Sequence, residues 1–157
     1  MDAKKIRNII FDIGDVLCTW SPTSTTAITP KLIKEFRSSL TWYDYNCGLI
    51  GEEECYSQLG SQFSVSAADI AEAFSQARNS LVVNEEMIST IRELKAAHKG
   101  SLRIYAMSNI SRPDWEYLQS KSFDWTVFDR VFTSSEVGMC KPELCIHCSG
   151  KSGGILT

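Results

Sequence analysis

Three short apolar runs, each cut off by a polar residue, are separated along this chain by stretches with helical periodicity. Ile6 to Phe11 (IRNIIF) is rich in β-branched residues and stops at Asp12 and Gly14, so it reads as a buried strand of a parallel sheet. Leu102 to Met107 (LRIYAM) stops at Ser108-Asn109, and Arg130 to Thr133 (RVFT) runs into SSEVGMCKPE. Between the first two runs, helical patterns cover Pro30 to about Leu40, Gly51 to Leu59, Ser66 to Asn79 and Asn84 to His98. Thr29 before Pro30, and Asn84 before Glu85-Glu86, are suitable N-caps. Arg112 to Ser120 forms a further helix, and CTWSPTSTTAITP reads as a loop. Strand, helical block, strand, helix, strand is the order of an α/β fold with a parallel sheet. The helices before the second strand are too many for one crossover, so some form a cap inserted over the sheet edge.

A length of 157 residues suits one domain with a sizeable core. The formal net charge of -3 argues against nonspecific binding to a nucleic acid. No apolar run approaches a membrane span, and the N-terminus lacks the long apolar region of a signal peptide, so the expected protein is cytoplasmic with no membrane partner. Cys18, Cys47 and Cys55 read as buried reduced thiols. Cys140, Cys145, His147 and Cys148 crowd together, but their spacing is not a common zinc pattern, and SGKSGG has neither the first glycine nor the preceding strand of a P-loop.

Ligands of parallel α/β sheets bind outside the C-terminal strand ends. Here those ends carry Asp12, Ser108-Asn109 and, after the third strand, Lys141-Pro142. A carboxylate, a hydroxyl and an ammonium converging on one crevice suit phosphate-ester chemistry. Each residue also has a plainer reading: Asp12 closing a turn, Ser108-Asn109 capping the next helix, Lys141-Pro142 as a solvated turn. Trp20, Trp42, Tyr43 and Tyr45 read as cap packing ahead of pocket lining.

FDIGDVL at 11–17, YAMSN at 105–109 and GMCKPE at 138–143 resemble motifs I, II and III of the haloacid-dehalogenase (HAD) superfamily, whose members are mostly Mg²⁺-dependent phosphatases. FDIGDVLCTWSP, TWYDYNCGLIGEEECY and YAMSNISRPDW further resemble the HAD-like domain of fungal drimane-type sesquiterpene synthases and their stand-alone phosphatase-like relatives. The resemblance implies a Rossmann-like HAD core at 1–20 and 99–143, and a helical cap with a return helix at 21–98. It implies Asp12 as nucleophile through an aspartyl-phosphate, and Ser108, Asn109 and Lys141 as groups that hold the phosphate, with Lys141 stabilising charge. It also implies Mg²⁺ on Asp12 and the Gly14 carbonyl, and a small phosphorylated or diphosphorylated substrate.

Two departures stand against it. Typical phosphatases of the superfamily carry a second Asp, the general acid and base, where this chain has Gly14; Asp15 lies one residue further and does not replace it. The acidic motif IV has no counterpart in LCIHCSGKSGGILT. The expectation is a C-terminally truncated HAD protein with an incomplete sheet, a disordered tail at 144–157, and a first strand left as an exposed edge through which copies could pair. Turnover is then weakened or lost. The alternatives are an inactive protein with a binding or vestigial role, a detached HAD-like part of a sesquiterpene synthase, and a metal-free dehalogenase.

Overall fold

The computed structural model describes residues 6–21, 23–121 and 123–142. Three parallel strands form the main sheet in the order β1-β4-β5: β1 (Asn8–Asp12), β4 (Arg103–Ser108) and β5 (Arg130–Thr133). The register pairs Asp12 with Met107 and Ser108 with Thr133, which brings the ends of all three strands to one side. Side-chain alternation divides the sheet's two faces. Ile9, Phe11, Ile104, Ala106 and Val131 pack toward helices α5 (Glu85–Ala97) and α6 (Arg112–Gln119), against Ile88, Ile91, Trp115 and Leu118.

The opposite face corrects one expectation. IRNIIF is not buried throughout, because Ile10 is 52% exposed and shares with Tyr105, Met107 and Phe132 an open cavity of about 410 Å³. Among the described residues β1 is an edge strand, and Val137 of the short helix Ser134–Val137 lines the same cavity.

Between β1 and β4 lie two paired crossings. β2 (Cys18–Thr19) runs antiparallel to β3 (Val82–Val83), so CTWSPTSTTAITP is not a loop from its first residue. A two-residue strand is too short to show a period. From this pair projects the inserted helical cap: α1 (Pro30–Arg37), α2 (Leu40–Asn46), α3 (Glu52–Phe63) and α4 (Ala67–Asn79). It has its own core, centred on Phe36, Tyr45, Leu59 and Ile70. Trp42 stacks on Phe74 at 4.7 Å.

The predicted helix at Pro30–Leu40 stops early. Ser38 and Ser39 return their hydroxyls to the carbonyls of Lys34 and Phe36, and Ser39 then accepts the Trp42 N–H to start α2. Helix α6 is likewise capped by Ser111, not by Ser108-Asn109. At the far end of α2, Gly48 has φ +72°, and a Cβ there would lie 3.0 Å from the Ser135 carbonyl. Gly48→Ala is expected to destabilise the fold by about 1–3 kcal/mol, combining left-handed strain with the clash. Urea unfolding checks this; an unchanged midpoint would contradict the close approach.

Candidate active site

β1 delivers Asp12 to the crevice, where the backbone turns sharply. The Ile13 carbonyl accepts from the N–H groups of Leu17 and Cys18, and Asp15 takes a positive φ of 59°. This turn leaves Gly14 against the Trp20 ring, 3.7 Å from where a Cβ would stand. The Ile13 N–H donates to Asp12 Oδ1 at 2.8 Å, and Lys141 Nζ donates to Asp12 Oδ2 at 2.7 Å. Lys141 Nζ also donates to the Met107 carbonyl at 3.3 Å.

Lys141 lies 129 residues from Asp12 in sequence and is placed by its backbone. Asn109 grips that backbone with both ends of its amide: Oδ1 accepts the Lys141 N–H at 2.7 Å, and Nδ2 donates to the Lys141 carbonyl at 2.9 Å. The Asn109 amide is therefore engaged in holding Lys141. Ser108, the last residue of β4 and only 6% exposed, lines the same cavity as Lys141. Ser134, which opens α7 (Ser134–Val137), fixes the loop after β4: its Oγ accepts the Ile110 N–H at 2.9 Å and donates to the Asn46 carbonyl of α2 at 2.6 Å.

The Asp12 and Lys141 side chains are 48% and 36% exposed. An ion pair that open contributes at most about 1 kcal/mol to stability. Stability therefore does not account for an acid and a base fixed together at strand ends. Cys18, by contrast, is no nucleophile at neutral pH, since burial and the nearby carboxylates of Asp15 and Asp12 push its thiol up to about 11.

A second cavity, of about 270 Å³, lies where cap meets core and shares Asn109 with the first. Trp20, Trp42, Phe74, Leu81, Ile110 and Tyr117 are among its lining residues. At its rim the Arg37 guanidinium lies 5.7 Å from the Trp20 ring centroid. Arg78, also on this wall, belongs to a polar network that sequence patterning missed. It reaches Glu52 of α3 and, at 2.6 Å, Asp114 of α6; Tyr45 and Tyr56 donate to Glu52 at 3.0 and 2.8 Å. The one available signal was a charged residue beside the apolar stripe of α4.

Among solved structures, the chain superposes on a HAD family enzyme of Bacteroides thetaiotaomicron in its magnesium complex, with a TM-score of 0.62 and 20% identity over 89% of this chain and 73% of that one. It also superposes on the L-2-haloacid dehalogenase of Xanthobacter autotrophicus, with a TM-score of 0.53 and 17% identity over 88% and 60% of the two chains. At these identities the likeness is one of fold. No family model matches the chain. A sesquiterpene phosphatase of Aspergillus oryzae is 38% identical over 135 residues, which are 86% of this chain and 67% of that protein. The chain belongs to the HAD family. The drimenol cyclase of Aspergillus calidoustus is 42% identical over 139 residues, 88% of this chain but 26% of the cyclase. This HAD chain thus spans about a quarter of that relative's length. Its parallel sheet with inserted cap is the architecture its motifs implied. Among the described residues no helix is long and apolar enough to cross a membrane. Glu143, Cys145, His147 and Cys148, with the rest of 144–157, lie outside the described residues.

Proposed function

We propose that this HAD chain is a Mg²⁺-dependent phosphatase that acts on an isoprenoid diphosphate through an aspartyl-phosphate on Asp12. The observation that carries this reading is the Asp12–Lys141 contact of 2.7 Å, at strand ends shared with Ser108. A carboxylate oxygen of Asp12 attacks phosphorus and the remaining ester leaves; water then cleaves the acyl-phosphate and regenerates the carboxylate. Lys141 offsets the charge that builds on the phosphoryl oxygens, and Ser108 donates a hydrogen bond to one of them. The aromatic cavity beside Asn109 takes the hydrocarbon chain, a reading supported by a relative named as a sesquiterpene phosphatase.

Among the described residues no three His, Cys, Asp or Glu side chains gather as a metal cage. Asp12 and the Gly14 carbonyl fit Mg²⁺, which accepts one or two carboxylates and completes its shell with water and phosphate oxygens. Bound there, Mg²⁺ supplies positive charge between carboxylate and phosphate.

Gly14 sharpens the substrate assignment. It offers no side chain to protonate a leaving group, and a diphosphate needs little help because its leaving group is a phosphate ester. An alkyl monophosphate must expel an alkoxide. Farnesyl diphosphate is therefore expected to be hydrolysed faster than farnesyl monophosphate, and EDTA to lower the rate by about 100-fold or more. Lys141→Ala is expected to lower kcat by about 10²–10³-fold, with Lys141→Arg retaining more. Phosphate release together with chromatography of the prenyl product measures each effect. A folded protein with no turnover on either substrate would favour the inactive alternative.

A further inference from the structure

The end of α2 meets the segment leading to Lys141 at a pair of thiols. Cys47 Sγ and Cys140 Sγ lie 3.1 Å apart although 93 residues separate them in sequence. Both are reduced and buried, at 2% and 5% exposure. Separate contacts hold the two segments together. The Asn46 carbonyl accepts from Ser134 Oγ at 2.6 Å. Gly48 packs so tightly on the Ser135 carbonyl that a side chain would collide with it. One residue beyond Cys140, the Lys141 backbone is clamped by Asn109. The thiols are thus held on two anchored backbones, and a disulfide needs them only about 1 Å closer.

We propose that Cys47 and Cys140 are a reversible disulfide site, oxidised by hydrogen peroxide, that cross-links the cap to the Lys141 segment. When local opening uncovers the pair, the Cys140 thiolate attacks the O–O bond of hydrogen peroxide. This yields a sulfenic acid and hydroxide, which takes a proton to become water. The Cys47 thiolate then attacks the Cys140 sulfur, the S–S bond forms, and the departing hydroxide leaves as a second water. The two thiols lose two electrons and two protons, and the peroxide gains them. A dithiol reductant reverses the change by thiol–disulfide exchange. The bond would tie α2 to the backbone that carries Lys141, and so set how freely the cap moves against the phosphate-binding side of the crevice. The proposal stands apart from the phosphatase reading, because it depends only on where the two sulfurs lie.

The test uses the full chain, treated with hydrogen peroxide, alkylated after denaturation and digested without reductant. Trypsin does not cleave before Pro142, so Cys140 shares a tryptic peptide with Cys145 and Cys148; cleavage after Glu143 separates them. The expected product has lost two hydrogens, links the Cys47 peptide to the Cys140 peptide, and reverts with dithiothreitol, while Cys18 and Cys55 remain alkylated. Oxidation should raise Tm by about 5–10 °C in the wild type. No such rise is expected in Cys47→Ser or Cys47→Ala, two variants that guard against one misfolding. Alkylation of both thiols after peroxide, a Cys140 sulfinic acid, or a link from Cys140 to Cys145 or Cys148 would each overturn the proposal.

Discussion

Asp12→Asn is expected to leave the chain folded and, if Asp12 is the nucleophile proposed above, to lower kcat/KM for farnesyl diphosphate by roughly 10³-fold or more, the scale of removing a covalent nucleophile. The fold should survive because the Asp12 side chain is nearly half exposed and its ion pair with Lys141 lies in high dielectric. Asparagine can still accept the Ile13 N–H through its Oδ1, which holds the turn after β1. It cannot supply a carboxylate to phosphorus. The measurement is initial-rate phosphate release beside circular dichroism, with Asp12→Ala run in parallel. Turnover retained in a folded Asp12→Asn protein would remove Asp12 as nucleophile.

The second large effect is on stability. Arg78→Met is expected to cost about 2–4 kcal/mol, below the upper range for a buried pair because the three charged side chains are 21–31% exposed. Removing the guanidinium leaves Glu52 and Asp114 facing each other's field without a cation. The loss also has a pH signature. Burial pushes the Glu52 carboxyl up, but hydrogen bonds from Arg78 and Tyr56, the Arg78 charge and the Tyr45 hydroxyl outweigh it and hold the group below its ordinary 4.5. A carboxyl depressed by folding contributes stability that is fully present above about pH 4.5 and is lost as pH falls through the folded value. Wild-type Tm should therefore fall on acidification below that point, and Arg78→Met should show a shallower slope. Parallel slopes would mean that Arg78 does not hold the Glu52 proton off.

What the sequence made legible follows from how each signal is encoded. RVFT formed a strand at its own bounds because β-branched and aromatic residues fill a short run between polar neighbours. Asn84 and Thr29 cap their helices as read, since capping depends on a few adjacent residues. The serines that end α1 were misread because a hydroxyl returning to a carbonyl leaves the apolar period undisturbed. Strand exposure was misread because an apolar run does not disclose whether a neighbour covers its second face, as Ile10 demonstrates. Motif order singled out Asp12, Ser108 and Lys141; the fold brings Asp12 and Lys141 into contact and sets Ser108 in the cavity that Lys141 lines. The Asn109 clamp, the Ser134 link and the Arg78 network join residues 24 to 88 positions apart, and no local pattern encodes such pairs.

The chain leaves the core at Cys18–Thr19 and returns at Val82–Val83, and these crossings are hydrogen-bonded to each other. Everything between them is a closed excursion whose two ends are already neighbours. Closing such a loop costs entropy that grows only slowly with its length. Changing the excursion's length therefore alters its closure entropy little, while the links of Asn46 to Ser134 and of Arg78 to Asp114 are what a changed cap must keep. The pair Thr19–Val82 is thus the natural seam at which a graft that preserves those links would give this core a different cap.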